Sequence, residues 1–267
     1  MSIWGKLLGA AFGYMLGDVF GAVVGAFLGH FIDIGLGQAI FLSHSEVEQI
    51  QASFFTTLFS VMGHVAKAGG RVSENKIAMA RSVMQRMALN ESQRLTAIEL
   101  FNRGKKPDFP LDLALKQFRT ICHGQRNIIQ MFIETLLQAA YADGKIQPAE
   151  ERILKHIAKT LGISNYRLAQ LEGMVMAQEA FKRGFGAQQQ KPSRSHTDLL
   201  RKAYIVLGVA SDASDAEVKK AYRRQMNQHH PDKLVARGLP EEMIKIANEK
   251  TQEIKSAYDL IQKDRGN

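Results

Sequence analysis

The sequence predicts an all-α protein with a single transmembrane helix, a helical middle region and a carboxy-terminal helical hairpin. Three observations lead to this prediction. An apolar, glycine-bearing span occupies residues 7–30. The middle region matches itself when the chain is shifted by 74 positions. Two amphipathic segments with helical periodicity flank the tripeptide His230-Pro231-Asp232.

The amino-terminal span has the length and composition of a membrane helix. Residues 7–28 carry one ionisable side chain, Asp18, and a helix of that length spans ~30 Å, close to the thickness of a bilayer core. A cleaved signal peptide is the competing interpretation. The apolar run is too long for one, and no clear polar region with a small-residue cleavage site follows it. The sequence therefore predicts an uncleaved, single-pass anchor in contact with membrane lipid.

Glycine recurs at every fourth position of this span, which predicts that the anchor forms a homodimer. Small residues at i and i+4 let two membrane helices approach closely. An aspartate at the bilayer centre costs about 2.5–3.5 kcal/mol, so Asp18 is expected to face a partner helix. A flexible glycine-rich tether is the alternative. The residues predicted to mediate self-association are Gly9, Gly13, Gly17, Asp18, Gly21 and Gly25.

The middle region contains two similar copies of a helix, a glycine turn and a second helix. The segment 66–72 (AKAGGRV) matches the segment 140–146 (AYADGKI), and the match continues without a gap. Ser73 and Gln147 open the second helix of each copy, and Pro148 follows at a position where proline is tolerated. The repeat predicts a helical scaffold.

The carboxy-terminal hairpin is predicted from two apolar stripes and one proline. Pro231 cannot continue a helix and disfavours the helical conformation at the preceding residue, so the first helix is expected to end at about His229. The upstream apolar face consists of Val218, Ala221, Tyr222 and Met226. The downstream face consists of Ile246, Ile254, Ala257, Tyr258 and Ile261.

Two antiparallel helices joined by His-Pro-Asp resemble the J domain, the module that activates DnaK-type chaperones. The segment 204–209 (YIVLGV) before the pair and Ser256-Ala257-Tyr258 near its end add to the resemblance. It implies that a DnaK-type chaperone is the partner and that the tripeptide docks on its ATPase domain. Two alternatives remain for Tyr222: its side chain packs in the core between the helices, or it faces the partner. The implied binding residues are Lys219, Tyr222, Arg223, Arg224, His230, Pro231 and Asp232.

The middle repeat is similar to the TerB-like (tellurite-resistance) helical domain. In that family, acidic residues near the turns can bind metal. Here Gly69 stands where the second copy has Asp143, so a helical scaffold or partner-binding module without metal is expected. The alternative function is a metal-responsive membrane sensor of the TerB type that uses the J domain to recruit a chaperone.

An anchor, a TerB-like middle and a carboxy-terminal J domain resemble, in that order, the membrane-anchored J-domain co-chaperones of bacteria. The resemblance implies the inner membrane as location and a link to envelope-stress signalling. Lys6 alone weakly favours a cytoplasmic amino terminus, but the ATP-using partner is cytosolic, so a periplasmic amino terminus is expected. The expected parts are residues 1–6 outside, the 7–30 membrane helix, the 45–182 TerB-like domain, a 183–196 linker and the 197–267 J domain.

Other function classes find little support in the sequence. The net charge of +9 permits nucleic-acid binding, but the basic residues are scattered and no nucleic-acid-binding motif appears. Cys122 is the single cysteine and lies in an apolar stretch, where packing is its expected role. We expect no catalytic residue, no cofactor, no small-molecule substrate and no nucleic-acid partner. The protein is expected to regulate another enzyme rather than to be one.

Overall fold

The structure is a computed structural model that describes residues 44–186 and 193–266. Within these ranges the protein is all-helical and contains no strand, which confirms the predicted fold class. The middle helices are α1 (His44–Lys67), α2 (Glu74–Arg86), α3 (Glu91–Gly104), α4 (Leu111–Ile121), α5 (Arg126–Ala140), α6 (Pro148–Thr160) and α7 (Asn165–Gly186). The carboxy-terminal helices are α8 (Ser193–Leu207), α9 (Asp215–His229), α10 (Pro231–Val235) and α11 (Ile244–Asp264), and 3-10 turns occupy Tyr141–Asp143 and Glu241–Met243.

Helices α1 and α5 form the centre of the middle region. Phe54 of α1 packs edge-on against Phe118 of α4 and Phe132 of α5, with ring centroids 6.2 and 5.9 Å apart. Helices α1 and α3 approach so closely that a Cβ atom on Gly104 would lie 1.7 Å from the carbonyl oxygen of Ser60. The α1–α3 contact therefore requires a residue without a side chain at this position.

Cys122 lies at the end of α4, inside the core of the middle region. Its side chain is fully buried, and this burial raises the pKa of the thiol to about 12. A thiol with such a pKa stays protonated near neutral pH and is a poor nucleophile. The predicted packing role of Cys122 is therefore confirmed.

The two copies of the repeat meet at their turns. Ser73 is the N-cap of α2 and Gln147 is the N-cap of α6, as the sequence predicts. Lys76 of α2 forms a buried ion pair with Glu150 of α6, which stands at the equivalent position of the other copy. The two copies of the sequence repeat are therefore in direct contact in the structure.

The hydrophobic core of the carboxy-terminal helices also contains a residue of the middle region. Their buried cluster joins Leu199 and Ala203 of α8, Val218 of α9 and Ile254 of α11, and it includes Phe181 from α7 of the middle region. Within the range predicted as a linker, residues 183–196, α7 ends at Gly186 and α8 begins at Ser193. The two helical units are therefore packed against each other.

Candidate functional site

The tripeptide His230-Pro231-Asp232, here called the HPD turn, lies at a sharp change of chain direction. Helix α9 ends at His229, as Pro231 predicts, and His230 is extended with φ −61° and ψ 123°. Pro231 is the first residue of the short helix α10, where its missing N–H costs no hydrogen bond. The side chain of Asp232 is 90% exposed and that of His230 is 45% exposed.

The polar groups of the HPD turn are largely unused within the protein. Nδ1 of His230 is buried and has no hydrogen-bond partner in the described part of the chain. The nearest oxygen of Asp232 lies 3.9 Å from this nitrogen, beyond hydrogen-bonding distance. The carboxylate of Asp232 therefore faces solvent with its capacity to accept hydrogen bonds available to a partner.

Helix α9 presents a basic surface that leads to the HPD turn. It begins with a capping box between Ser214 and Glu217, and its exposed basic side chains include Lys219, Arg223 and Arg224. These three residues, the basic surface of α9, were predicted from the sequence as binding residues. The structure places them on the helix that ends at the HPD turn.

Tyr222 lies between the basic surface of α9 and the neighbouring helix. It is half-buried, and its ring stacks on Tyr258 of α11 at 4.2 Å between centroids with an interplanar angle of 18°. Tyr222 thus joins α9 to α11 while keeping part of its surface in solvent.

A buried ionic network fixes the end of α9 immediately before the HPD turn. Nε2 of His229 lies 3.1 Å from a carboxylate oxygen of Glu134, in the middle of α5. Nζ of Lys250, from α11, lies 2.7 Å from the other oxygen of the same carboxylate. The three side chains are at most 5% exposed. One carboxylate of the middle helices therefore holds two carboxy-terminal helices.

The pKa of Glu134 reflects this pairing. Burial alone would raise the pKa of the carboxyl group, because it disfavours the charged form. The charges and hydrogen bonds of Lys250 and His229 outweigh burial and lower the pKa of Glu134 below its usual range. The carboxylate is consequently ionised throughout the physiological pH range.

The loop after α10, residues 236–243, lies on the middle helices. Leu239 and Met243 are fully buried in the core that these helices form. Gln51 of α1 donates to the carbonyl oxygen of Leu239 at 3.4 Å, and Gln93 of α3 donates to Glu242 at 2.7 Å. The loop therefore attaches the carboxy-terminal helices to the middle helices.

At Gly238 the backbone of this loop packs closely against the middle helices. A Cβ atom on Gly238 would lie 2.8 Å from the side chain of Ile50, and the φ of +94° is a conformation that glycine adopts without strain. Arg86 at the end of α2 and Glu249 in the second turn of α11 form a further ion pair, with 2.8 Å between Nε and Oε2. The carboxy-terminal helices are thus held to the middle helices on both sides of the HPD turn.

Sequence reasoning missed Glu134, Lys250 and the docking loop as parts of the site. A signal for Glu134 existed, since it is a single acidic residue inside the apolar run 128–137 (IIQMFIETLL). A carboxylate that is buried in such a run requires a charged or hydrogen-bonded partner. No comparable pattern identifies that partner, because His229 and Lys250 are distant in sequence.

The acidic residues near the turns of the repeat contact a lysine. Nζ of Lys76 lies 3.5 Å from Asp143 in addition to its ion pair with Glu150, and Ser73 donates to Asp143 at 2.8 Å. The ammonium group thus supplies the positive charge between these two carboxylates. In the described ranges no group of three or more His, Cys, Asp or Glu side chains is arranged to hold a metal ion.

The predicted anchor, the glycine stripe and Asp18 lie outside the described residues. Of the helices within the described ranges, none combines the length and the apolar character needed to cross a membrane.

Three protein families match consecutive parts of the chain. The family described as the co-chaperone DjlA transmembrane domain matches residues 1–39. The family described as tellurite resistance protein TerB matches residues 56–172, and the DnaJ domain family matches residues 202–266. The class of protein is therefore a J-domain co-chaperone with an amino-terminal membrane anchor and a TerB-like middle domain.

Relatives that are similar over the full length narrow this class. The co-chaperone protein DjlA of Photobacterium profundum is 45% identical over 99% of this chain and 99% of its own. The proteins of the same name from Vibrio cholerae and Shewanella oneidensis are 45% and 43% identical, and each alignment covers 100% of this chain and 99% of the relative. This chain belongs to the DjlA family of co-chaperones. No solved structure matches it.

Proposed function

We propose that the protein stimulates ATP hydrolysis by a DnaK-type chaperone at the cytoplasmic face of the bacterial inner membrane. The observation that carries this proposal is the HPD turn, which ends a basic helix and exposes the carboxylate of Asp232 to solvent. The protein acts on the chaperone as a regulator and performs no covalent chemistry itself.

Each residue of the HPD turn has a distinct physical role in this proposal. Asp232 accepts a charge-assisted hydrogen bond from an arginine of the chaperone, the strong kind of pair that an exposed carboxylate can form. Pro231 fixes the chain direction, and His230 supplies packing and a hydrogen bond. The turn therefore combines one charged contact with a rigid backbone.

The basic surface of α9 has a different role, which is to guide the approach of the partner. Lys219, Arg223 and Arg224 attract an acidic chaperone surface, and this increases the association rate more than the affinity. Tyr222 contributes the edge that its stacking on Tyr258 leaves exposed.

The membrane part of the proposal rests on the sequence. The amino-terminal helix anchors the protein as a single-pass homodimer, with residues 1–6 in the periplasm and the remaining domains in the cytoplasm. This orientation places the HPD turn in the compartment that holds ATP and the chaperone. We further propose that the anchored co-chaperone couples chaperone activity to envelope stress.

Binding to the ATP-bound chaperone tests the site directly. The full chain in lipid nanodiscs should bind an immobilised DnaK-type chaperone in the presence of ATP. Asp232→Asn should weaken binding about tenfold or more, because it removes the charge of an ionic hydrogen bond. Asp259→Asn makes the same chemical change at another exposed position of the carboxy-terminal helices and should bind like the parent. Equal affinities for the two variants would contradict the proposed site.

A further inference from the structure

A large cleft lies between the middle helices and the carboxy-terminal helices, beside helix α9. Its volume is about 1240 Å³, and its walls come from α4, α5 and α7 on one side and from α8 and α9 on the other. Arg224, which belongs to the basic surface of α9, forms part of the wall. The cleft is therefore continuous with the proposed chaperone-binding surface.

The charge of this cleft has one sign. No aspartate or glutamate is among the described residues that line it, whereas four arginines are: Arg119, Arg126, Arg167 and Arg224. Helices α5 and α7 also begin at the cleft, and the amino-terminal ends of helices carry partial positive charge. A concave surface lined by one sign of charge concentrates the electric field and attracts the opposite charge.

Neutral acceptors hold two of these guanidinium groups in place. Arg119 donates to the carbonyl oxygen of Thr160 at 2.8 Å, and Arg167 donates to the side-chain oxygen of Gln130 at 3.0 Å. These bonds orient the side chains without neutralising them. The arginines are thus arranged to bind carboxylates, which they can contact through two parallel hydrogen bonds.

The size and position of the cleft favour a macromolecular partner over a small ligand. Pockets for small ligands have volumes of roughly 300–1,000 Å³ and mostly apolar walls, whereas this cleft is larger and strongly basic. It adjoins α9, so a chaperone bound at the HPD turn is also the partner nearest to the cleft. The docking of α9 and α11 on Glu134 keeps the two surfaces in a fixed relation.

We propose that this arginine cleft is a second contact surface for the DnaK-type chaperone and binds an acidic segment of its surface. The inference rests on the proposed function, since it concerns the same partner. It assigns to the TerB-like domain a direct part in chaperone binding. The residues that the middle helices contribute are Arg119, Arg126 and Arg167.

The test reverses these three charges and leaves Arg224 unchanged. The full chain with R119E, R126E and R167E, in nanodiscs of uncharged lipid, is titrated against ATP-bound chaperone at low and high salt. We expect the dissociation constant to rise about tenfold or more at low salt, and the difference from the parent to shrink at high salt.

The matched control reverses three exposed basic residues of the middle region that do not line the cleft. It carries R81E, K145E and R152E, so its net charge changes by the same amount as that of the cleft variant. A milder cleft variant, R119Q, R126Q and R167Q, guards against loss of folding. It should show a smaller increase of the dissociation constant, whereas the control should bind like the parent.

Three outcomes would overturn the inference, and they are distinguishable. Equal binding by the cleft and control variants overturns it alone if Asp232→Asn is still defective. If Asp232→Asn binds normally, the proposed function fails and the inference fails with it. Reduced binding to anionic lipid vesicles with unchanged chaperone binding would assign the cleft to the membrane and also overturn the inference.

Discussion

Glu134 holds two side chains that are distant in sequence, and one of them, His229, lies 95 positions further along the chain. His229 directly precedes the HPD turn, so this carboxylate fixes the point from which the turn extends. Lys250 also contacts Gln178 of α7, which links the network of α5, α9 and α11 to a fourth helix. A single buried residue of the TerB-like domain therefore positions the HPD turn of the J domain.

Glu134→Gln should destabilise the protein by about 3–5 kcal/mol, because it leaves the buried ammonium group of Lys250 without a counter-charge. Thermal unfolding followed by circular dichroism measures this change. Glu91→Gln is the control, since Glu91 forms its ion pair with Arg94 at the surface, and its melting temperature should equal that of the parent. A melting temperature of Glu134→Gln equal to that of this control would show that the network does not stabilise the fold.

The contribution of Glu134 to the free energy of unfolding should also depend on pH. Its pKa is lowered in the folded protein, so the unfolded state binds the proton more tightly. The stabilisation is then fully present above the ordinary carboxyl pKa and is lost as the pH falls below that value towards the folded pKa. The difference in unfolding free energy between the parent and Glu134→Gln should therefore be constant near neutrality and become smaller in acid. A difference that grows in acid would contradict the assignment.

The helices themselves were largely predictable from local sequence. Pro231 correctly placed the end of α9 at His229, and the equivalence of Ser73 and Gln147 correctly placed the starts of two helices. These features depend on neighbouring residues, which the sequence displays directly. The accessible HPD turn was predictable for the same reason.

The packing of these helices against one another was not predictable from local sequence. Ile246 was correctly placed on the apolar face of α11, but it packs in the core of the middle helices rather than in the hairpin. The arginine cleft likewise joins residues from distant segments, such as Arg119 and Arg224. The spacing of apolar or basic residues along the chain shows that a helix has an apolar or basic face. It does not show which other helix that face packs against.

The membrane helix offers a prediction that depends on its sequence alone. Gly17→Ile should weaken self-association of the anchor, because a bulky side chain separates the two backbones. Val19→Ile, off the glycine stripe, should have less effect. Energy transfer between labelled anchors in lipid bilayers measures both. The expected result is a partial shift towards monomer, and equal association of the two variants would favour a monomeric anchor.

The described domains form a joined unit in which the TerB-like domain supports the J domain. The J-domain core receives Phe181 from α7, and the loop after α10 inserts Leu239 into the core of the middle helices. This arrangement leaves Asp232 of the HPD turn and the basic surface of α9 exposed. An anchor at the amino terminus would hold this unit close to the membrane.

Single-turnover ATP hydrolysis is the most direct test of the claim that the HPD turn activates a DnaK-type chaperone. The chaperone is loaded with ATP and mixed with the full chain in nanodiscs, and the rate of hydrolysis is measured. The parent and Asp212→Asn, an exposed control, should accelerate hydrolysis equally, whereas His230→Gln and Asp232→Asn should leave the rate at that of the chaperone alone. Unchanged acceleration by either HPD variant would contradict the account.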